Sequence, residues 1–526
     1  MNYIKSLHIN GFKKFKHLDI NFNEHVNILV GENEAGKSTI LDAIKIVLNQ
    51  QYRNADKSYL KDLFNIENIN AFNANPSIEN LPQITIEIEF DLDIAAKNSE
   101  YFFGEVYGEQ KPQDSKFGIA FKCEFDRNLG SDEYDEISSD KIPYEYYSLT
   151  WKTFGNKPYQ LVKKPLKFIS IDISGKDPTS SFNYYNRNLF NSIYEGENRL
   201  NIKYQFRDKL EGSVNDIGLE PIDDKRVFGI DSKKVPLESI LSVYDNQIAL
   251  ENHGSGMECL IKTQIALDKK SGLNVVLMEE PENHLCFSTM KKMLGEIIKQ
   301  KESSQLIITT HSNMIASHLN LKNILWISNE KAMSLQNLKN DDAEFFMKAD
   351  DNAFLQLLLS KKAILVEGAT ECLLIPHFYK QQTGHTIEED EITIISCGGI
   401  SYKRYLSAVE NLDKKIAVIT DNDGNQERIN KSIEFNNIHE NEHIFMGEKT
   451  ADWTWEQCIY DCNKTVLEQM ISIQDGSKYL FREKDYGPYL GKMLNDKAEI
   501  AYQMLTSGKI FVIPEYVKEA ITWLSE

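Results

Sequence analysis

A strand, a glycine loop and a helix in direct succession constrain this chain more than any other feature. Val26, Ile28 and Val30 run into Gly31-Glu32-Asn33-Glu34-Ala35-Gly36-Lys37-Ser38. Ile40, Leu41, Ile44, Val47 and Leu48 then recur at helical spacing over Thr39–Leu48. The loop matches the pattern G-x-x-x-x-G-K-[ST], in which backbone N–H groups and the following helix N-terminus surround phosphates. In that pattern Lys37 reaches the outer phosphates and Ser38 contacts Mg²⁺, with Asn33, Gly36 and Thr39 completing the nucleotide-binding set.

At 526 residues the chain is too long for one ordinary core, so two or three domains are expected. Its 41% hydrophobic and 26% charged residues describe a packed globular protein and exclude a disordered one. Apolar runs such as Val275–Met278 and Leu306–Ile308 are far shorter than a membrane span. The start, Met1-Asn2-Tyr3-Ile4-Lys5, lacks the apolar centre of a signal peptide, so a cytoplasmic protein without membrane contact is expected. The 7 cysteines are scattered and form no C-x-x-C, which predicts buried free thiols and no zinc site.

The net charge of −20 argues against tight non-specific nucleic-acid binding. Residues 361–526 hold 18 basic and 27 acidic side chains, leaving 41 and 52 for residues 1–360. Both parts are acidic, so a nucleic-acid path has to be a local basic stripe.

Along the chain, Ile4, Leu7 and Ile9, then Leu18, Ile20 and Phe22, alternate with polar residues, as does the segment 81–93. These predict strands. Residues 95–165 are poorly patterned and include the acidic stretch Ser131–Asp140. Residues 175–225 are polar and rich in Asn and Tyr, with helices expected about 186–211; they read as an insertion where two copies dimerise. Order returns at 253–330, residues 340–360 read as a linker helix, and strands 363–366, 391–396 and 415–420 alternate with helices from 361 onward. That alternation predicts a parallel α/β sheet. The domains expected are 1–350 and 361–526.

Val275-Val276-Leu277-Met278-Glu279-Glu280-Pro281-Glu282-Asn283-His284-Leu285 is a buried strand ending in acids. Glu279 is suited to orient the water shell of Mg²⁺ and Glu280 to act as general base on an attacking water. This segment resembles the extended Walker B and D-loop of ABC-type ATPases, which include structural-maintenance and RecF-like proteins. Glu279 stands where those proteins more often have Asp. The resemblance implies ATP as ligand. It also makes Asn252-His253-Gly254-Ser255-Gly256-Met257-Glu258 a loose signature motif, with Ser255 and Gly256 facing the nucleotide of a second subunit. Gln305–Ser312 is similar to the family's switch strand, whose histidine, here His311, senses the γ-phosphate. Sites completed across subunits imply a homodimer or higher homo-oligomer.

Ala363-Ile364-Leu365-Val366-Glu367-Gly368-Ala369-Thr370-Glu371 and Ile416-Ala417-Val418-Ile419-Thr420-Asp421-Asn422-Asp423-Gly424 each bring carboxylates to a strand tip. Glu367, Glu371, Asp421 and Asp423 converging there can hold one or two divalent ions, Mg²⁺ or Mn²⁺, for phosphodiester cleavage. The two segments resemble the motifs of the Toprim domain found in topoisomerases, primases and certain nucleases.

An ABC-type ATPase head (a mixed sheet with helices and a helical insertion) followed by a Toprim α/β domain with a parallel sheet resembles the OLD (overcoming lysogenization defect) family of nucleases. The resemblance makes Glu456, in Thr450–Glu456, a further metal ligand, with Asp452 a second candidate. It places Lys497, of Lys497-Ala498-Glu499-Ile500-Ala501, near the scissile phosphate, and Ser401 at the floor of the site. It implies an ATP-regulated, metal-dependent DNA endonuclease of anti-phage defence, with DNA as substrate. A helicase subunit, as for the Gabija nuclease, or a retron reverse transcriptase with its RNA would be a partner. The competing expectations are a Toprim RNA nuclease gated by the ATPase and a non-catalytic DNA-bridging or loading ATPase. A topoisomerase would need a tyrosine nucleophile on a winged helix and a primase a zinc module; neither is evident in the sequence.

Overall fold

The alternating segment at the start becomes β1 (Tyr3–Phe12), paired antiparallel with β2 (Phe15–Asn21) on one side and β4 (Ile84–Asp91) on the other. The computed structural model describes all residues except 1, 54–55, 96–97, 105–115, 130–140, 172–177, 195, 218–219, 221, 224, 227, 301, 329–330, 338, 350–352, 399–401, 411–413 and 475–477. Ser131–Asp140 and Ser401 therefore lie outside the described residues. The chain divides into two units, Met1–Asn337 and Leu338–Glu526.

In the first unit, β6 (Lys116–Phe125), with β5 (Phe103–Gly104) and β7 (Tyr147–Thr153) beside it, continues the antiparallel sheet from β4. These strands come from the poorly patterned 95–165 region. Ile119, Ala120 and Phe121 are consecutive and all buried, so both faces of β6 are covered and alternation disappears. A second sheet runs in the order β12–β11–β3–β10–β9–β8. Its strands are β3 (Val26–Val30), β8 (Phe168–Ile171), β9 (Val275–Glu279), β10 (Gln305–Thr309), β11 (Ile324–Ser328) and β12 (Lys331–Ser334). All its pairings are parallel except β11 with β12. Helix α1 (Lys37–Asn49) follows β3 and buries Ile40, Leu41, Ile44, Val47 and Leu48 between the sheets' shared core residues. The polar region forms α2 (Pro178–Ile193) and α3 (Gly196–Ile217), on which Leu200 and Tyr204 stand exposed one turn apart. Helix α4 (Ser255–Leu267) follows the glycine turn at Gly254.

The second unit is built on a four-stranded, all-parallel sheet in the order β14–β13–β15–β16. The strands are β13 (Lys362–Val366), β14 (Ile392–Ser396), β15 (Lys415–Ile419) and β16 (Glu442–Phe445). The chain steps from β13 outward to β14, then returns to place β15 and β16 on the other side. The topological switch point therefore lies between β13 and β15, where α/β sheets form their ligand crevice. Helices α5 (Ala369–Thr383), α6 (Gln426–Ile438), α7 (Trp455–Met470) and α8 (Lys497–Thr506) surround the sheet. Residues 340–360, expected as one linker helix, form two helices, Asn340–Ala349 and Ala353–Leu359, that belong to this unit. Phe346, Phe354, Leu357 and Leu358 are buried, and the Phe346 and Phe354 rings stack at 4.4 Å, so this segment has a core to join. Among the described residues no helix is long and apolar enough to cross a membrane.

All seven cysteines are free, but Cys286 and Cys462 are exposed, against the expectation of buried thiols. Cys286 lies just outside a helix start, where Ser288 and Thr289 hydrogen-bond its sulfur and hold the thiol down at about 7.

Candidate active sites

In the first unit the loop geometry leaves no room for side chains at two positions. A Cβ on Gly31 would stand 2.4 Å from the Ile327 carbonyl oxygen, and Gly36 adopts φ +96° against the Phe15 ring. Lys37, buried at the start of α1, donates to Gly31 O (3.0 Å) and Glu32 O (2.9 Å). Burial holds its ammonium below the usual lysine range, while Glu280 and Glu282 pull the other way. Ser38 and Asn33 are exposed beside it, and Thr39 is buried.

Strands β9 and β10 pair with Glu279 opposite Thr309, so Glu280 and His311 emerge at the same sheet end. His311 Nε2 lies 3.5 Å from Glu280 Oε1. Burial, then the charge of Lys37, lowers the His311 pKa and keeps the imidazole neutral near pH 7. Glu280 takes φ 41°, in the left-handed region, and Asn283 Nδ2 donates to its Oε2 at 2.8 Å. The structure thus brings Lys37, Glu280 and His311 together. Half-buried Glu279 ends the strand before them. Ser255 and Gly256 open α4, Ser255 exposed and Gly256 half-buried; among the described residues no hydrogen bond or ion pair joins them to this cluster. Glu282 is an addition that the motifs did not single out. Its Oε1 accepts from Thr310 Oγ1 (2.7 Å) and His311 N (2.6 Å), which fixes the switch strand's exit. Its only signal was the repeated acid in Glu280-Pro281-Glu282.

In the second unit Glu367 follows β13 and Asp421 follows β15, adjacent strands at the switch point. Glu367 Oε1 accepts from the Asp421 N–H at 3.1 Å and from the Thr420 hydroxyl. Asp421 sits at the N-terminus of α7: its Oδ1 accepts from Trp455 N (2.7 Å), and its Oδ2 from Thr454 Oγ1 (2.8 Å). Thr454 Oγ1 also lies 2.9 Å from Glu456 Oε2. Lys497 Nζ bonds that same oxygen at 2.8 Å, with the Glu456 side chain 4% exposed and the Lys497 side chain 42% exposed.

Burial, then Glu367, pushes Asp421 up to about 7. Burial also pushes Glu371 up to about 7, with Glu456 and Glu367 adding to it. Glu367, Glu371, Asp421 and Glu456 therefore share one field of excess negative charge, with Lys497 at its edge. They do not form a ready cage: among the described residues no three His, Cys, Asp or Glu side chains have the spacing of a metal centre. The fit to a divalent cation lies in the all-oxygen donors and the uncompensated charge. Asp423, at φ 51°, is more exposed and pairs with the Arg428 guanidinium, whose Nη2 lies 3.9 Å from Glu367 Oε1. Asp452 stands apart, its backbone and Cβ close beside Gly447.

Family models match both units. Residues 6–252 match the AAA domain, and residues 358–423 match the overcoming lysogenization defect protein-like TOPRIM domain. The chain has the ATPase–Toprim architecture of the OLD family. The Toprim match spans Glu367, Glu371, Asp421 and Asp423 and stops before Glu456 and Lys497. The chain is similar to the Old nuclease of Escherichia phage P2, with 26% identity over 150 residues, 26% of this chain and 25% of that protein. It is similar also to the structural maintenance of chromosomes protein 3 homolog of Plasmodium falciparum, with 25% identity over 393 residues, 68% of this chain. It spans 31% of that relative's length. A solved SmcHead bound to the C-winged helix domain of ScpA matches 64% of this chain and all of its own at 16% identity and a TM-score of 0.35.

Within this OLD-type Toprim unit the structure adds four residues to those the motifs named. Asn422, fully buried between the two aspartates, donates to Gly447 O and Lys449 O at 2.8 Å each and accepts from Gly424 N. It staples the aspartate loop to the segment carrying Thr454 and Glu456. A Cβ on Gly447 would stand 2.5 Å from the Asp452 Cβ, so only glycine admits that approach. Thr454 couples Asp421 to Glu456, and Arg428 couples Asp423 to Glu367. Arg428 lies five residues beyond Asp423 and on the first turn of α6, a spacing that could have suggested it. Removing its charge leaves the carboxylates less compensated, so Arg428→Ala is expected to bind Mn²⁺ more tightly, by about tenfold. Isothermal titration calorimetry checks this; unchanged or weaker binding would show that Arg428 does not compete with the cation.

Proposed function

We propose that the chain is an ATP-regulated, divalent-metal-dependent DNA endonuclease. The observation that carries this reading is the convergence of Glu367, Glu371, Asp421 and Glu456 with Lys497 at the switch point of a parallel sheet. Asp423 joins them through Arg428. These carboxylates, with Glu371 and Glu456 buried and Asp421 half-buried, would hold Mg²⁺ or Mn²⁺. Such an ion, when bound, supplies an activated water and stabilises charge on a phosphodiester. Thr454 orients Asp421 and Glu456 toward one another. Lys497, half-exposed and anchored through Glu456, is placed to offset negative charge that develops on the phosphate.

In the ATPase unit, Gly36, Lys37, Ser38, Thr39 and Asn33 would cradle the nucleotide phosphates, with Ser38 and Glu279 on Mg²⁺. Glu280 takes the proton of the attacking water, and neutral His311 meets the γ-phosphate. Ser255 and Gly256, free of that cluster, are available to the nucleotide of a second copy, and exposed Leu200 and Tyr204 on α3 offer an apolar contact. A homodimer through the first unit follows, in which nucleotide state controls access to the carboxylate site. The family resemblance supplies the setting: anti-phage defence in the cytoplasm, with a helicase subunit or a retron reverse transcriptase complex as partner.

Purified protein incubated with supercoiled plasmid and with total RNA, with Mg²⁺, Mn²⁺ or EDTA and with or without ATP, tests the proposal. Nicked or linear plasmid is expected with the metals alone, at a rate that ATP alters. Cleavage of RNA with intact plasmid moves the substrate to RNA. Absence of any cleavage under all conditions supports the non-catalytic loading ATPase instead.

A further inference from the structure

Beside the Toprim carboxylates, three aromatic rings gather from two segments. Trp453 directly precedes Thr454, and its carbonyl accepts the Asp423 N–H at 3.0 Å, so its position is tied to the site. Strands β17 (Leu480–Phe481) and β18 (Lys484–Asp485) form a short antiparallel hairpin that turns through Arg482 and Glu483. The rings of Phe481 and Tyr486, on either side of that turn, lie 6.4 and 5.4 Å from the Trp453 ring, tilted by 35° and 30°. All three rings are half-buried, leaving part of each open to solvent. The Arg482 guanidinium lies 5.3 Å from the Phe481 ring centre.

The charge of this segment departs from the rest of the chain. Residues 478–497 carry Lys478, Arg482, Lys484, Lys492 and Lys497 against Glu483, Asp485 and Asp496, within a protein of net charge −20. The segment has a local excess of two positive charges, five bases against three acids, of the kind an acidic protein needs to approach a phosphate backbone. Aromatic faces interleaved with cations, next to a site for phosphodiesters, suit one kind of ligand. Every nucleobase has a face to stack, and an unpaired strand leaves that face open. In a duplex the neighbouring pairs cover it, and two phosphate strands double the charge set against the protein's acidic field.

We infer that Trp453, Phe481 and Tyr486 form a stacking shelf for an unpaired nucleobase flanking the cleaved phosphate. The substrate is then a single-stranded or locally unpaired strand, not a regular duplex. This inference rests on the nuclease reading above and specifies its substrate. Arg482 and Lys484 follow the strand's backbone away from the shelf, and Lys497 meets the phosphate at its other end.

The test is fluorescence anisotropy of the full chain in EDTA, which prevents cutting, with labelled 20-nucleotide single-stranded DNA, the same sequence as RNA, and the corresponding DNA duplex. Single strands are expected to bind at least about tenfold more tightly than the duplex. Phe481→Ala and Tyr486→Ala are each expected to weaken single-strand binding on the order of tenfold and to leave duplex binding unchanged. Phe481→Tyr should retain binding, because the face is kept. Arg482→Ala removes a cation from an exposed turn and keeps all three rings, so its loss of affinity guards against misfolding of the aromatic variants. Tighter binding of RNA than DNA supports the shelf and moves the strand's chemistry to RNA. Equal affinity for single strand and duplex, or aromatic variants that bind like the parent, overturns the shelf. If plasmid is still cut, the shelf alone has failed; if nothing is bound or cut, the nuclease reading has failed with it.

Discussion

Glu367→Ala or Asp421→Ala is expected to abolish metal-dependent cleavage, by more than about a thousandfold, while ATP binding stays at the parental level. Each residue follows one of the two strands that flank the switch point: Glu367 Oε1 accepts the Asp421 backbone N–H, and the Asp421 carboxylate accepts from Trp455 N and Thr454 Oγ1. Removing either takes away a prospective metal ligand and an anchor of the surrounding loop, Asp421 N–H for Glu367 and the Thr454–Trp455 turn for Asp421, so the loss exceeds the 10²- to 10³-fold typical of a single stabilising donor. Asp452→Ala is the internal control, because its Cβ packs on Gly447 and its carboxylate takes no part in the cluster's hydrogen bonds. Plasmid cleavage with Mn²⁺, alongside a fluorescent-nucleotide binding titration, reads both halves of the expectation. Full cleavage by both variants would remove the carboxylates from the chemistry.

Glu280→Gln is expected to bind ATP at the parental affinity and hydrolyse it about 10²- to 10⁴-fold more slowly, the usual range for losing a general base. The amide keeps the side chain's size and its hydrogen bond from Asn283, provided the amide oxygen takes the place of Oε2, but it cannot accept the water's proton. Lys37→Ala should behave differently and weaken nucleotide binding itself, since Lys37 is the buried cation at the head of α1. Phosphate release measured at saturating ATP separates the two. A Glu280→Gln variant that turns over ATP at the parental rate would reassign the base, and Glu282 would be the next candidate.

The two sites differ in how far they could be read in advance. The nucleotide site is a local object: Gly31, Gly36, Lys37 and Ser38 lie within one loop whose conformation follows from its glycines and the helix after it. The acids at the ends of β9 and β13 were legible for a related reason. A run of four or five apolar residues ending in Glu has to be a buried strand delivering a carboxylate to its tip. The strands of 95–165 were not legible, because β6 is covered on both faces and loses its alternation. The helices at 340–360 carried the right periodicity, but nothing local says which unit buries their apolar face.

Sequence by itself determined the parts: a phosphate loop, two acid-tipped strand systems, a parallel α/β half and an overall acidity that demands a local basic path. Each depends on periods of 2 or 3.6 residues or on contiguous motifs, which act over a few neighbours. Only the tertiary structure decided how those parts meet. The order β14–β13–β15–β16 places Glu367 and Asp421 on adjacent strands, although 54 residues separate them. It brings Thr454 to bridge Asp421 and Glu456, Lys497 to hold Glu456 across 41 residues, and Phe481 and Tyr486 to stand by Trp453. Those juxtapositions follow from burying both faces of one sheet under helices that are distant in sequence, and no local pattern encodes that choice.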